Sequence, residues 1–464
     1  MLIPSASYLN PGDVSWQLIA ATLVGLMSVP GLAVLYGGLV KRRFAVNSAM
    51  MVLYAFAVVL IVWVLWGYNM SFGVPWKLGP GMLSAIVGVP GTVLGAASEQ
   101  ARAVVPLLAS AMPGLHFPAS AMIYFQFAFA AITPGLLAGA ALGRMNFKAW
   151  MIFVPLWTTL VYSVVAFSMW GGGWLAQLGA VDYSGGYVIH LAAGVSGFVL
   201  AAMLGPRLAK DRADFRPNNL MFTLVGAGIL WLGWNGFNGG DPYFANGDAA
   251  LAVLNTNIAA AMALLAWLGL DVWVRGRATL TGAINGMIAG LVAITPAAGY
   301  VNGTGALLIG LCAGVIPWLT MNLLGQRGVF RKVDDTLGVI HTHGIAGAIG
   351  GLMAGLLADP HVLVYLGVHH AAPAAVTGLF YGNPHQFLVQ LEALVAIVIY
   401  DAAMTFLVLK LVGRLVPLRA ADPVIEGGDR AMHGEEAYDY SDVPHVPHRP
   451  PAAVPSFSAE ASDA

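Results

Sequence analysis

Apolar runs of about 20 residues follow one another through most of this chain, each long enough to cross a hydrocarbon layer of roughly 30 Å as a helix. Hydrocarbon offers no partner to a backbone amide, so such runs must fold as helices or as strands of a closed barrel. A crossing strand needs only about 10 residues, and the length of these runs therefore selects helices. Charge agrees with that reading, since 464 residues carry 21 basic and 22 acidic side chains, 9% in all, where soluble proteins carry about 25%. Many of the 57 glycines fall inside the apolar runs, where a glycine is a helix-packing position and not a linker. A formal net charge of −1 argues against a nucleic-acid partner. The single Cys312 excludes a disulfide within one chain. Residues 1–13 lack a basic segment and a small-residue cleavage site, so no cleaved signal peptide is expected.

Hydropathy places spans near 15–39, 44–70, 119–142, 149–170, 186–204, 218–238, 249–273, 279–298, 304–324, 336–357 and 386–412. The fold class expected is thus an all-α polytopic membrane protein of eleven transmembrane helices. An odd number puts the termini on opposite sides. Taking the Lys41, Arg42, Arg43 loop as cytoplasmic leaves only Lys77 and Arg102 of the 21 basic residues outside, which sets the N-terminus (1–14) outside and the C-terminus inside. The same tally rules out a further span near 82–97, because every later basic loop would then flip outward. Residues 74–118 are accordingly read as a long outer loop. The transmembrane domain covers 15–412 and a cytoplasmic tail 413–440, while the Pro-rich 441–464 is expected to be disordered.

An internal repeat singles out two histidines. His190 with Gly194 and Gly197, and His343 with Gly347 and Gly350, share the pattern H-x-x-x-G-x-x-G five spans apart. A weaker echo joins Tyr36-Gly-Gly to Asn238-Gly-Gly at the same separation. Five is odd, so the halves enter the membrane from opposite faces: an inverted five-helix repeat plus a final helix, with a substrate path expected between the repeats near the midplane. The glycines let backbones approach closely. Ionisable groups in hydrocarbon are costly and mark ion or proton routes, although a lone histidine of this kind can equally bond a neighbouring helix. His341 has Val188 as its repeat equivalent and is secondary. At about 1.5 Å per residue, His190 lies roughly 6 Å below the outer helix end and His343 roughly 10 Å above the inner one. Contact between them requires both helices to begin below the membrane surface.

At these residues the chain resembles the ammonium transporter, methylammonium permease and Rhesus family. The resemblance runs from Pro30 to about Tyr440 and rests on Pro30-Gly-Leu-Ala-Val-Leu-Tyr-Gly-Gly38, Phe125-Gln126-x-x-Phe129, Trp170-Gly-Gly-Gly173, Asp182-Tyr-Ser-Gly-Gly186 and Gly233-Trp234-Asn-Gly-Phe237-Asn238-Gly-Gly240. Asp334-Asp335 through His343, and the tail Glu426-Gly-Gly-Asp429 with His433-Gly-Glu-Glu-Ala-Tyr438, complete it. It implies eleven helices per subunit, each subunit with its own pore, in a homotrimer of the plasma or inner membrane. It implies that ammonium or ammonia is the permeant, methylammonium an analogue, that no cofactor is needed and that the chain is not an enzyme. Trp170 and Phe125 then look like an outer aromatic vestibule, where a cation is held against π faces by about 0.5–2 kcal/mol; composition alone reads Trp170 as part of an interfacial belt. Phe129 and Phe237 look like a phenyl gate, and His190 and His343 like the paired imidazoles of an apolar pore. Asp182 looks like a structural acid beside the vestibule. Gln126, Tyr162, Trp234, Asn238, Asp335 and His341 are secondary site positions.

Asp241 departs from the Ser of many bacterial members and, with the Phe-Asn-Gly-Gly-Asp-Pro-Tyr run, points to the methylammonium permease-like branch. It either contacts ammonium directly or turns away into a cap or turn. Ammonium and potassium match in charge and nearly in size, so a selective pore must use ammonium's ability to lose a proton. The expected mechanism is collection of NH4+ at the vestibule, deprotonation near Phe129 and Phe237, and passage of NH3 beside the histidines, with possible proton co-transfer through a coupled pair. Alternatives are an ammonium sensor, which would carry an appended signalling domain, and a Rhesus-like neutral gas channel for NH3 or CO2, against which the aromatic vestibule tells. A metalloenzyme built on His190, His341, His343 and Asp182 lacks close ligand spacing. The tail is similar to the one on which PII-type signalling proteins act in bacterial members.

Overall fold

The computed structural model describes residues 7–109, 114–325, 327–362 and 375–438. Among these, ten helices are long and apolar enough to span a membrane. They are α1 (Pro11–Leu39), α2 (Arg42–Phe72), α3 (Ala119–Ala138), α4 (Phe147–Gln177, with a tight turn at 170–173), α5 (Gly186–Leu204), α6 (Leu220–Gly239) and α7 (Gly247–Arg275), with α9 (Gly303–Leu324), α10 (Ile340–Leu357) and α11 (Pro384–Leu415). The shorter apolar α8 (Leu280–Ile294) completes the eleven expected spans. A helix outside the spans, α12 (Asp422–His433), follows.

Most starts are written in single residues. Asn10, Asn146, Asn219, Asn246, Thr279 and Asn302 each accept an amide hydrogen bond from the first turn they precede, which relieves donors that hydrocarbon cannot satisfy. Several spans end short of the hydropathy estimate because their terminal backbone is used elsewhere. α8 stops at Ile294 and not near 298: the carbonyls of Thr295 and Pro296 accept from the amides of Ser184 and Tyr183, ahead of α5. α10 opens at Ile340 and not 336, since Asp335 accepts from the amides of Gly338 and Ile340.

Both α5 and α10 open with a wide π-turn, Gly186–Leu191 and Ile340–Ile345. Each histidine of the repeat therefore sits in the first turns of its helix. The two helices cross where side chains are absent: a Cβ on Gly194 would overlap the Gly344 backbone, and one on Gly347 would press on the Gly186 carbonyl and on His190. α11, at 32 residues, reaches about 48 Å, more than a roughly 30 Å layer requires. It anchors α5 and α10 through Gln390, whose side chain bonds the backbone of Val181 and Gly351, and through Thr405 against Ser196 and Trp157.

The described part of 74–118 contains only short turns of helix. It is pinned to the outer ends of the spans by Trp174 N–H on the Ala85 carbonyl, by Asn10 N–H on the His116 carbonyl and by the His116–Asp13 pair at 2.9 Å. Inside, Arg144 is wholly buried and donates to the Gly205 and Asp334 carbonyls and to Thr336. Residues 439–464, which hold the segment expected to be disordered, lie outside the described residues, as do 1–6 of the N-terminal segment.

Candidate functional site: an aromatic mouth over a histidine pair

From Trp170 to His343 the rings form one continuous column. Trp170 closes α4 and donates its indole N–H to the Asp182 carbonyl at 2.8 Å. Its ring meets Phe129 edge-on at 6.1 Å, and Phe129 meets Phe125, one turn earlier on α3, at 4.7 Å. Phe237 of α6 lies against Phe129 with centroids 4.3 Å apart and planes tilted by 35°. The two phenyls expected to form a gate are thus in direct contact, and both are fully buried. Beneath them His190 stacks on Phe237 at 5.8 Å and on Trp234 at 5.2 Å. Its Nδ1 lies 3.2 Å from Nδ1 of His343. The depth arithmetic that kept these imidazoles apart does not hold: α10 opens at Ile340 and not near 336, so both histidines lie in the opening turns of helices that meet there.

One Nδ1···Nδ1 hydrogen bond holds one proton, so one ring donates and the other accepts. Nε2 of His190 has no hydrogen-bond partner among the described residues. Below His343 a small cavity is lined by Leu32, Leu35, Tyr36, Leu136, Val339 and Trp234. Its lining is mostly apolar, with Asn285 and Thr342 as polar members beside His343. Further along, His341 bonds Thr320 at 3.1 Å and packs on Phe330, in a cavity at the opposite end from Trp170 that also holds Arg207 and Asp334. His341 does not join the pair.

Carboxylates hold the ends of the column. Asp182 accepts four backbone amides, Gly185 and Gly186 on Oδ1 at 3.1 and 2.7 Å, and Tyr187 and Val188 on Oδ2 at 2.9 and 3.0 Å. It caps α5. Burial pushes its carboxyl up, and those four amides pull it back down. Asp335 does the same for α10 from the inner side, with burial again raising the carboxyl against the amides of its cap and the Arg144 charge. Asp241 lies just past α6, 5% exposed, with the Ser184 hydroxyl on Oδ2. Burial, reinforced by the Asp182 charge, holds it well above the usual carboxylate range, against the Ser184 bond.

The remaining positions divide. Gln126 donates to the Tyr243 hydroxyl at 2.9 Å, leaving its Oε1 without a partner, and the buried Tyr162 hydroxyl has none either. Both belong to the polar rim near Asp241. Asn238 instead turns to Thr256 of α7 at 2.8 Å, a helix-packing contact. Sequence reasoning passed over Ser184, although it stands two residues after Asp182 in a motif already singled out. It also missed that Asp335 precedes His343 by the same interval that separates Asp182 from His190, a spacing that identifies both acids as matching caps. Among the described residues no group of His, Cys, Asp and Glu is arranged to hold a metal ion.

Comparison with known proteins supplies the remaining evidence. The family model described as Ammonium Transporter Family matches residues 15–438. Ammonium transporter 3 member 2 of Oryza sativa subsp. japonica is 52% identical over 448 residues, covering 93% of this chain and 91% of the relative. Ammonium transporter 2 of Arabidopsis thaliana is 48% identical over 434 residues, covering 93% and 89%. Among solved structures, Saccharomyces cerevisiae Mep2 superposes with a TM-score of 0.76 at 30% identity, covering 90% of this chain and 89% of that one. A protein titled Sensor Amt Protein superposes equally well, TM-score 0.76, over 91% of this chain and 98% of its own; at 24% identity that likeness is one of fold.

Proposed function

Because the chain belongs to the ammonium transporter family, we propose that it recruits NH4+ at the outer mouth formed by Trp170 and Phe125, strips a proton there, and conducts NH3 past the Phe129–Phe237 contact and along the His190–His343 pair. The observation that carries this reading is the buried imidazole pair beneath touching phenyls. A hydrated cation is not accommodated by such packing, and moving a bare charge past it is prohibitive. Neutral ammonia is small, apolar enough to pass and able to bond the unpartnered Nε2 of His190. Potassium has no proton to shed and is excluded on that ground alone. The proton is either left outside or handed along the imidazole pair.

The same reading assigns Asp182 and Asp335 to positioning, since their oxygens are occupied by the amides that open the two helices. The basic-residue distribution supports a plasma-membrane orientation with the N-terminus outside and the tail inside. The exposed apolar faces of the spans and the likeness to Mep2 support assembly as a homotrimer, and the tail is the place for a PII-type partner. Methylammonium serves as the tracer analogue. The test is reconstitution in proteoliposomes, applying an ammonium step and then a matched potassium step while recording internal pH and current. Internal alkalinisation if the proton stays outside, or an inward current if it follows along the imidazoles, with no response to potassium in either case, is the expected result. Equal responses to both ions, or none to ammonium, contradict the assignment.

A further inference from the structure

Two carboxyls face the outer mouth, and they differ in what their oxygens already hold. Asp182 is saturated by four backbone amides. Asp241 has one side-chain partner among the described residues, the Ser184 hydroxyl. That hydroxyl also lies 2.7 Å from the carbonyl of Phe237, one turn earlier in the chain. A hydroxyl has a single proton to donate. When Ser184 gives it to the Phe237 carbonyl, the contact with Asp241 requires a proton from the carboxyl. When Ser184 gives it to Asp241, the carboxyl is ionised and the Phe237 carbonyl is left bare. Two protonation states of Asp241 thus correspond to two orientations of one hydroxyl, with every heavy atom in place.

The geometry points to Asp241 as the group that takes the proton from ammonium at the outer mouth, with Ser184 as its positioning residue. This rests on the transporter reading above and deepens it by naming the acceptor and where the proton goes. In the ionised state the carboxylate and the bare Phe237 carbonyl offer two acceptors to ammonium N–H groups, beside the rings of Phe125 and Phe237. Transfer breaks one N–H bond, whose electron pair stays on nitrogen, and forms an O–H bond on Asp241. The products are NH3 and a neutral carboxyl. Ser184 then turns its proton to the Phe237 carbonyl and accepts from the carboxyl, so that no buried charge remains at the entrance while ammonia moves inward. Asp241 resets by releasing its proton to water of the outer vestibule.

Burial holds Asp241 well above the usual carboxylate range, which brings a proton acceptor closer to the pH at which it must work. The titratable groups in electrostatic reach are Asp182, Tyr162, Tyr183, Tyr243 and Tyr300. Phenols ordinarily titrate at about pH 10 and contribute nothing on the acid side. Asp182 does carry a titratable proton, and the variants below separate it from Asp241.

The experiment measures the initial rate of internal alkalinisation by the reconstituted full chain at fixed outer NH4+ concentration, over outer pH from acid to neutral, with the protein-free leak subtracted. The wild type is expected to slow as outer pH falls, because a carboxyl already protonated cannot accept. Asp241→Asn keeps the shape and removes the acceptor. Its rate is expected to drop about tenfold or more and to lose the acid limb. Ser184→Ala removes the hydroxyl that favours the ionised form, and its acid limb is expected to move to higher pH. Asp241→Asn with wild-type rate and acid limb overturns the assignment, as does Ser184→Ala with an unshifted limb should the first variant fail to assemble. A wild type that shows no ammonium-dependent signal instead overturns the transporter reading itself.

Discussion

Asp182 and Asp241 show how little a residue's identity says about its role until its hydrogen bonds are counted. Both are buried carboxyls at one mouth, yet the first is consumed by four amides and the second holds a single hydroxyl. Replacing Asp182 by Ala leaves four buried amide donors without an acceptor, each costing about 1–3 kcal/mol. Asp182→Ala is therefore expected to lower the melting temperature in detergent sharply, or to prevent recovery of folded protein. Asp182→Asn is expected to fall between, because its amide nitrogen would face two of the donors while its oxygen still serves the others. A near-wild-type melting curve for the alanine variant would remove the capping role. The aromatic and imidazole positions were readable from residue type and motif. The one-proton arrangement at Ser184 was not, since it depends on a carbonyl of α6 meeting a loop ahead of α5, more than 50 residues away.

At the scale of elements, the spans were legible because hydrocarbon imposes a length and an apolar composition on every crossing helix. The start of α5 at 186 was legible, but that of α10 was not: hydropathy put it near 336 and it opens at Ile340, because hydropathy does not register backbone used as a cap. The caps are made by Asp182 and Asp335, and they form only when the loops fold back. The repeat glycines were correctly read as packing positions: Gly194 faces Gly344 across the crossing of α5 and α10. Their effect on function follows from geometry. Gly194→Ala forces a methyl into the Gly344 backbone, so the helices must separate, and with them the imidazoles now 3.2 Å apart. Loss of most ammonium flux with the trimer still recovered on size exclusion is expected. Full flux in that variant would show that the pair tolerates separation.

The whole molecule ties its inner face to its tail. Asp429 of α12 accepts the amides of Val46 and Asn47 at 2.8 Å each, His433 bonds Asn47 and packs on Phe147, and Lys210 pairs with Glu426. The tail thus caps α2 of its own subunit while lying beside the loop that follows α5. Asp429→Ala removes a helix cap worth about 1–2 kcal/mol and is expected to make the tail more accessible to protease without unfolding the membrane core. An unchanged cleavage rate would mean that the other contacts hold it alone. On the function proposed above, all these parts serve one conduit, which admits a permeant able to shed its charge outside and closes to one that cannot. The most direct measurement is ammonium flux and potassium flux, side by side, in the wild type, His190→Ala and His343→Ala. Each substitution is expected to abolish ammonium flux or to let potassium through, whereas undiminished ammonium flux with potassium still excluded in both variants would contradict the account.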